Sequence, residues 1–301
     1  MKYEFIEVNK AKFCVQDMCR MLGVSRSGYY GYLNRKTRKS TEHQEANKVL
    51  SGKINSIYHT HKGRYGSPRI HATLKAEGEN CSLGRVKRIM RKEGLAAKTI
   101  PKRKDKKAKQ EVTNTQNLLA DEAFKLTSIN QVWVSDITYI DTQEGWLYLA
   151  GTMDMLSRRI VGYAMADHMR TDLIVDCLNM ATTNRSPSKG LVHHSDRGSQ
   201  YTSYRFQNKL TSNGFEASFT GDGACLDNAR IESFWASLKK ELECLDTPFE
   251  SREEARTTIT EYINIYYNGQ RLHSSIDYRT PLSFENYLAT KNVKSLDKLA
   301  A

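Results

Sequence analysis

From residue 126 onward the hydrophobic pattern changes period several times. Val132 to Ile140 (Val-Trp-Val-Ser-Asp-Ile-Thr-Tyr-Ile) alternates and is rich in β-branched and aromatic residues, which predicts a strand. Trp146 to Met153 predicts a second strand. Ile160 to Met165 predicts a third, after a turn at Ser157-Arg158-Arg159. Over Thr171 to Thr183 the period lengthens to that of a helix, with Leu173, Cys177, Leu178 and Ala181 facing inward. Leu191 to Asp196 then predicts a short strand, Ser203 to Ser212 a helix and Phe215 to Phe219 a strand. Long helices follow over Asp227 to Leu245, with Asp227 as the N-cap, and over Arg252 to Tyr267. Three meandering strands followed by helix, strand, helix, strand describe an α/β layer on a mixed sheet.

The front of the chain is patterned differently. Val15 to Leu22 is apolar-periodic, Gly23-Val24-Ser25-Arg26 interrupts it, and Ser27-Gly28-Tyr29-Tyr30 opens a second segment. Helix, tight turn and helix are the parts of a helix-turn-helix, and equally of a plain helical hairpin. Ile54 to His61 and Ile70 to Glu77 look helical, separated by the basic turn Gly63 to Arg69 that carries Arg64 and Arg69. Ser82 is placed to cap a helix over Leu83 to Glu93. There Val86, Ile89 and Met90 share one face, while Arg85, Lys87, Arg88, Arg91 and Lys92 occupy the rest. The chain therefore divides into a helical region at 1–100, a basic linker at 101–125, an α/β domain at 126–290 and a tail at 291–301.

Charge sharpens this division. Residues 1–110 hold 27 Lys/Arg against 9 Asp/Glu, a net of +18, whereas the remainder holds 19 against 25, a net of −6. A cationic front on a mildly acidic body predicts a polyanionic partner, nucleic acid above all. Arg26 near the start of the second helix, Arg64 and Arg69 in the turn, and Arg85, Lys87, Arg88 and Arg91 on the basic helix are the candidate phosphate contacts. No apolar run approaches the ~20 residues of a membrane span, and the acidic, apolar-poor N-terminus predicts no secretory leader. Six cysteines without a C-x-x-C pair predict reduced thiols and no zinc site, in a cytoplasmic, nucleoid-associated protein.

Three acids occupy informative places. Asp136 lies mid-strand among apolar residues, where a carboxylate is costly unless something pairs with it. Asp196 closes the fourth strand and Glu232 stands early in the helix that follows. Two strand carboxylates and a helical one can converge at a sheet edge and bind Mg²⁺ through hard oxygens. Two such ions activate the attacking oxygen and stabilise the leaving one in phosphodiester chemistry. His193 and His194, beside Asp196, can orient a water, although one of them reads as a packed strand residue. Lys239 lies two helical turns beyond Glu232 on the same side, about 10 Å along the axis, where an ammonium would meet a flanking phosphate; Lys240 is its rival. Asp141, Glu144 and Asp154 read as turn and strand-end acids.

These motifs together resemble those of the insertion-sequence-3 family of transposases, in the product of the downstream reading frame, and more remotely those of retroviral integrases. The resemblance rests on Trp133 to Tyr139, on His194-Ser195-Asp196-Arg197-Gly198-Ser199-Gln200-Tyr201 and on Asp227 to Trp235. It also rests on the 35 residues between Asp196 and Glu232, and on Tyr266-Tyr267-Asn268, Arg271, His273 and Thr280-Pro281 near the end. It implies a ribonuclease-H-like domain whose Asp136, Asp196 and Glu232 hold Mg²⁺ or Mn²⁺, two ions in all. It further implies cleavage at the terminal repeats of the element, strand transfer into target DNA, and DNA contacts from Lys239, Lys240 and Arg271. A homo-oligomer on DNA and an upstream-frame partner joined by frameshift are implied as well. The integrases carry a His/His/Cys/Cys zinc site; here His59 and His61 lack the cysteine pair, so none is expected. A ribonuclease-H-type nuclease and a non-catalytic DNA-binding regulator are the rival readings.

Overall fold

The computed structural model describes residues 1–37, 42–98, 117–119, 125–220 and 228–297. Most of the expected basic linker, and Asp227, lie outside the described residues. The chain forms two compact units, Met1–Gly63 with Thr73–Ala96, and Arg64–Ala72 with Ala97–Ala301.

The first unit is helical. Its elements are α1 (Lys2–Asn9), α2 (Val15–Met21), α3 (Arg26–Thr37), α4 (Glu42–Thr60), the end of α5 (Ser67–Ala76) and α6 (Leu83–Lys92). Helix α2 ends at Gly23, whose φ of 62° suits a residue without a Cβ; Val24 N–H then donates to Cys19 O and closes the turn into α3. Ile6, Met18, Cys19 and Tyr29 bury the small core that joins α1, α2 and α3. Helix α6 starts where Ser82 Oγ accepts from Arg85 N–H, and it buries Val86, Ile89 and Met90. Arg85 Nε donates to Asn47 Oδ1 of α4 at 2.8 Å. The segment expected from Ile54 is the end of the longer α4.

The second unit is built on a five-stranded sheet in the order β3-β2-β1-β4-β5, with β1 (Val132–Ile140), β2 (Leu147–Asp154), β3 (Ile160–Ala166), β4 (Val192–Ser195) and β5 (Glu216–Phe219). The meander β1-β2-β3 is antiparallel, whereas β4 and β5 run parallel to β1. This mixed order, with helices on both faces, is the ribonuclease-H-like arrangement. Helices α7 (Thr171–Arg185) and α8 (Tyr204–Asn213) cover the core of Trp133, Val161, Leu173, Leu178, Phe206 and Phe215. Gly162 allows α7 to lie close, since a Cβ there would stand 2.4 Å from Cys177 O. Helix α9 (Ala229–Glu241) packs against β1 and β2.

Helix α10 (Arg252–Glu261) continues as a π-helical segment, Tyr262–Tyr267, which buries Tyr262, Ile263, Tyr266 and Tyr267. A final helix, α11 (Pro281–Asp297), extends past residue 290. It is tied down by Glu285, whose carboxylate pairs with Arg185 and Arg159 at 2.8 Å and accepts from Ser157 Oγ. These partners hold Glu285 below the usual carboxylate range in spite of its burial.

Candidate active site

The strand register brings the first two acids together. β1 and β4 pair in parallel as Val132↔Val192, Trp133↔His193 and Val134↔His194, a constant offset of sixty. The paired stretch ends at Val134 and His194, two residues before each acid, and the field of Asp196 is felt by Asp136. Asp196 stands just past the end of β4, exposed, with Oδ1 accepting from Gly198 N–H at 2.9 Å.

Helix α9 supplies the third acid and fixes the first. Trp235 Nε1–H donates to Asp136 Oδ2 at 2.9 Å. Glu232 is three residues earlier, one turn away on the same face of α9. Gly151 makes this approach possible. It sits opposite Asp136 in β2, and a Cβ at that position would stand 2.7 Å from the Trp235 ring.

Burial pushes the Asp136 carboxyl up to about 6; the fields of Asp196 and Glu232 add to the rise, against hydrogen bonds from Ile137 N–H and Trp235. The three carboxylates therefore share one electrostatic neighbourhood. Among the described residues no three His, Cys, Asp or Glu converge as a ready-made metal cage. Asp196 and Glu232 are exposed and Asp136 half-buried. The donor set is all oxygen, the chemistry that magnesium or manganese requires.

Lys239 stands over the Tyr139 ring at 4.6 Å from its centroid, and its ammonium feels Asp136; burial lowers its proton affinity. Burial also lowers Lys240, which lies toward Glu241, Arg69 and Arg271. Both histidines beside Asp196 are buried. His193 is 2 % exposed and shares a 2.8 Å hydrogen bond with Ser135 Oγ, while His194 is fully buried against Ser218 Oγ. Burial pushes His193 down to about 3, so it is neutral and structural. Asp154 is structural as expected: it is buried and accepts from Asn130, Leu156 and Ser157 N–H.

The structure redistributes the expected phosphate contacts. Arg26, Lys87, Arg88 and Arg91 are exposed. Arg85 is half-buried on Asn47. Arg64 and Arg69 belong to the second unit, so their turn is not part of the helical front. Arg64 stacks on Tyr266 at 4.4 Å and donates to Glu241 O, and Arg69 donates to Leu272 O at 2.8 Å. Between them, Tyr65 OH bonds the backbone of Gln270 and Leu272. Arg271 is 5 % exposed and makes a buried pair with Glu241 at 2.8 Å. Its guanidinium also meets Ser237 Oγ and His273 Nδ1, so most of its donors are engaged within the protein. Trp235 went unread as a site residue, although its place one turn after Glu232 could have signalled it.

The comparisons with known proteins agree with this architecture. Two Integrase core domain models match residues 127–225 and 213–281, and an HTH-like domain model matches residues 44–104. The chain is 42% identical over 251 residues to the transposase for insertion sequence element IS904 of Lactococcus lactis, covering 83% of this chain and 98% of that protein. It is 38% identical over 287 residues to transposase InsF for insertion sequence IS3A of Escherichia coli, covering 95% and 99%. The chain belongs to the insertion-sequence-3 family of transposases. The HTH-like match begins within α4, so in this transposase it takes in α5 and α6 rather than the α2–α3 pair. Among solved structures the transposase is similar to the HTLV-2 integrase catalytic core domain in complex with magnesium. That match has 16% identity, covers 52% of this chain and 96% of that one, and has a TM-score of 0.40. Among the described residues no helix is long and apolar enough to cross a membrane.

Proposed function

We propose that the transposase cuts DNA at the ends of its element and joins the freed 3′-hydroxyl to target DNA, with Asp136, Asp196 and Glu232 as the ligands of divalent metal. The single buried carboxylate Asp136, which feels both Asp196 and Glu232, carries this reading. The rise of Asp136 under burial and two neighbouring carboxylates supports it, because a cation is what such a cluster lacks. Bound there, magnesium or manganese, two ions at full occupancy, would activate the attacking oxygen and stabilise the leaving one.

The chain's own residues do the positioning. Trp235 steadies the Asp136 carboxylate through Oδ2. Gly198 N–H steadies Asp196. Lys239, half-buried over Tyr139, presents its charge to a phosphate flanking the scissile bond. The reaction takes two in-line displacements by water and then by the 3′-hydroxyl, so no serine or tyrosine nucleophile is assigned.

The helical region at 1–100 is read as contributing DNA contacts through Arg26, Lys87, Arg88 and Arg91, and the domain at 126–290 as the catalyst. A homo-oligomer on DNA, a frameshifted upstream-frame partner and a cytoplasmic, nucleoid-associated location complete the reading. The test is cleavage and joining of DNA carrying the element's own ends. Asp136→Asn is expected to bind that DNA and not to cut it. Retained cleavage refutes the ligand assignment, and cutting without joining by the unaltered chain favours a plain nuclease.

A further inference from the structure

On α9, one position round from Glu232, the second unit contains a polar cavity of about 160 Å³ that the carboxylate site does not use. Exposed Ser233, Ser274 and Ser275 form its mouth; buried Arg271 and His273 lie deeper, with Arg69 and Arg158 on the walls. None of its lining side chains is acidic. At ~30 Å³ per water the space equals about five waters, enough for a tetrahedral oxyanion.

Two residues that line this cavity each carry a buried donor without a protein acceptor. Arg271 Nη1 donates to His273 Nδ1 at 3.3 Å, so the ring proton of the neutral histidine sits on Nε2. Nε2 is buried without a hydrogen-bond partner, and His273 is 5 % exposed. Burial, with Arg271, Arg158 and Arg69 around it, pushes His273 down to about 2, so the ring donates one proton and carries no charge. Arg158 Nε is likewise buried without a partner. Arg158 adopts φ 62°, a conformation that non-glycine residues rarely take, at the tip of the turn that Asp154 organises.

The charges are unbalanced in the same direction. Glu241 neutralises Arg271 from behind, and the pair is closed by Tyr262 OH and Ser237 Oγ. Arg158 has no ion pair among the described residues. Donors without acceptors, an excess of guanidinium and hydroxyls at the rim are what an oxyanion satisfies. We propose that this cavity is a phosphate-binding site that takes a backbone phosphate of the bound DNA strand, with Arg158, His273 and Ser233 as its donors. The assignment to DNA rests on the reading of the chain as a DNA-cutting enzyme; the phosphate chemistry does not.

Two arms on the full-length protein test it. In the first, inorganic phosphate is titrated against the thermal midpoint at constant ionic strength. A rise of about 5 °C is expected at a hundredfold excess over the dissociation constant, and Arg158→Gln and Ser233→Asp should abolish it. In the second, the affinity for duplex DNA is measured by fluorescence anisotropy from 50 to 200 mM salt. Each variant should lower the slope of log affinity against log salt by ~0.9, one phosphate contact, or about threefold across that range. Phosphate binding with an unchanged DNA slope overturns the assignment to DNA and leaves a site for free phosphate. No midpoint shift and no slope change overturn the cavity as an anion site. Cleavage by the unaltered protein is scored separately, so failure of the catalytic reading is told apart from failure of this one.

Discussion

Replacing Asp136 by Asn should stabilise the metal-free protein while destroying its activity. Asn keeps the volume of the side chain and the oxygen that accepts from Trp235 Nε1–H at 2.9 Å. It removes the charge that burial and two neighbouring carboxylates penalise, a penalty seen as a rise from 3.8 to about 6. Two units at 1.36 kcal/mol each amount to ~3 kcal/mol. The sign follows from proton binding. The folded state holds this proton more tightly than the unfolded chain, so the native protein loses stability as pH rises from about 4 to about 6, and the loss is complete above that range. At pH 7.5 in EDTA, Asp136→Asn should therefore unfold about 5–10 °C above wild type, and the gap should close as pH falls toward 4. Added Mg²⁺ should raise the wild-type midpoint and leave that of the variant nearly unmoved. The assay is thermal and urea unfolding followed by circular dichroism. A variant less stable than wild type at pH 7.5, or a gap independent of pH, would refute the reasoning.

Other consequences are as direct. Glu241→Gln leaves the Arg271 guanidinium buried without its counter-charge and should cost about 3–5 kcal/mol in urea unfolding; the double change with Arg271→Met should cost less than the sum. Gly151→Ala places a methyl 2.7 Å from the Trp235 ring, so it should destabilise by about 1–3 kcal/mol and lower kcat more than it raises KM. Trp235→Phe removes the donor to Asp136 and should cut the cleavage rate about tenfold or more, with circular dichroism unchanged. Substituting Lys87, Arg88 and Arg91 together by Gln should lower the salt slope of DNA binding by ~0.9 for each lost phosphate contact; an unchanged slope would remove α6 from the interface.

The sheet was legible because its strands carry their own signal. Val132 to Ile140 is rich in β formers, and Asp136 stood out as a carboxylate among them. The sixty-residue offset that pairs β1 with β4 could not be read, since register is a tertiary property. Helix α1 was missed because Lys2 to Asn9 buries only Ile6 and shows no stripe. The first half of α4 was missed for the same reason, its polar run before Leu50 offering no periodicity. Sequence shows the charge of Arg64, Arg69 and Arg271 and hides their partners within the protein. Their partners, Tyr266, Leu272 O and Glu241, are distant in sequence for Arg64 and Arg69, and thirty residues away for Arg271.

The central claim, that Asp136, Asp196 and Glu232 are metal ligands, is tested most directly by exchanging Asp196 for Cys and varying the metal. A thiolate disfavours magnesium and tolerates the softer manganese. The claim predicts that Asp196→Cys cuts DNA ends in Mn²⁺ and fails to do so in Mg²⁺, whereas wild type uses both. Equal activity of the variant in Mg²⁺ and Mn²⁺ would contradict it.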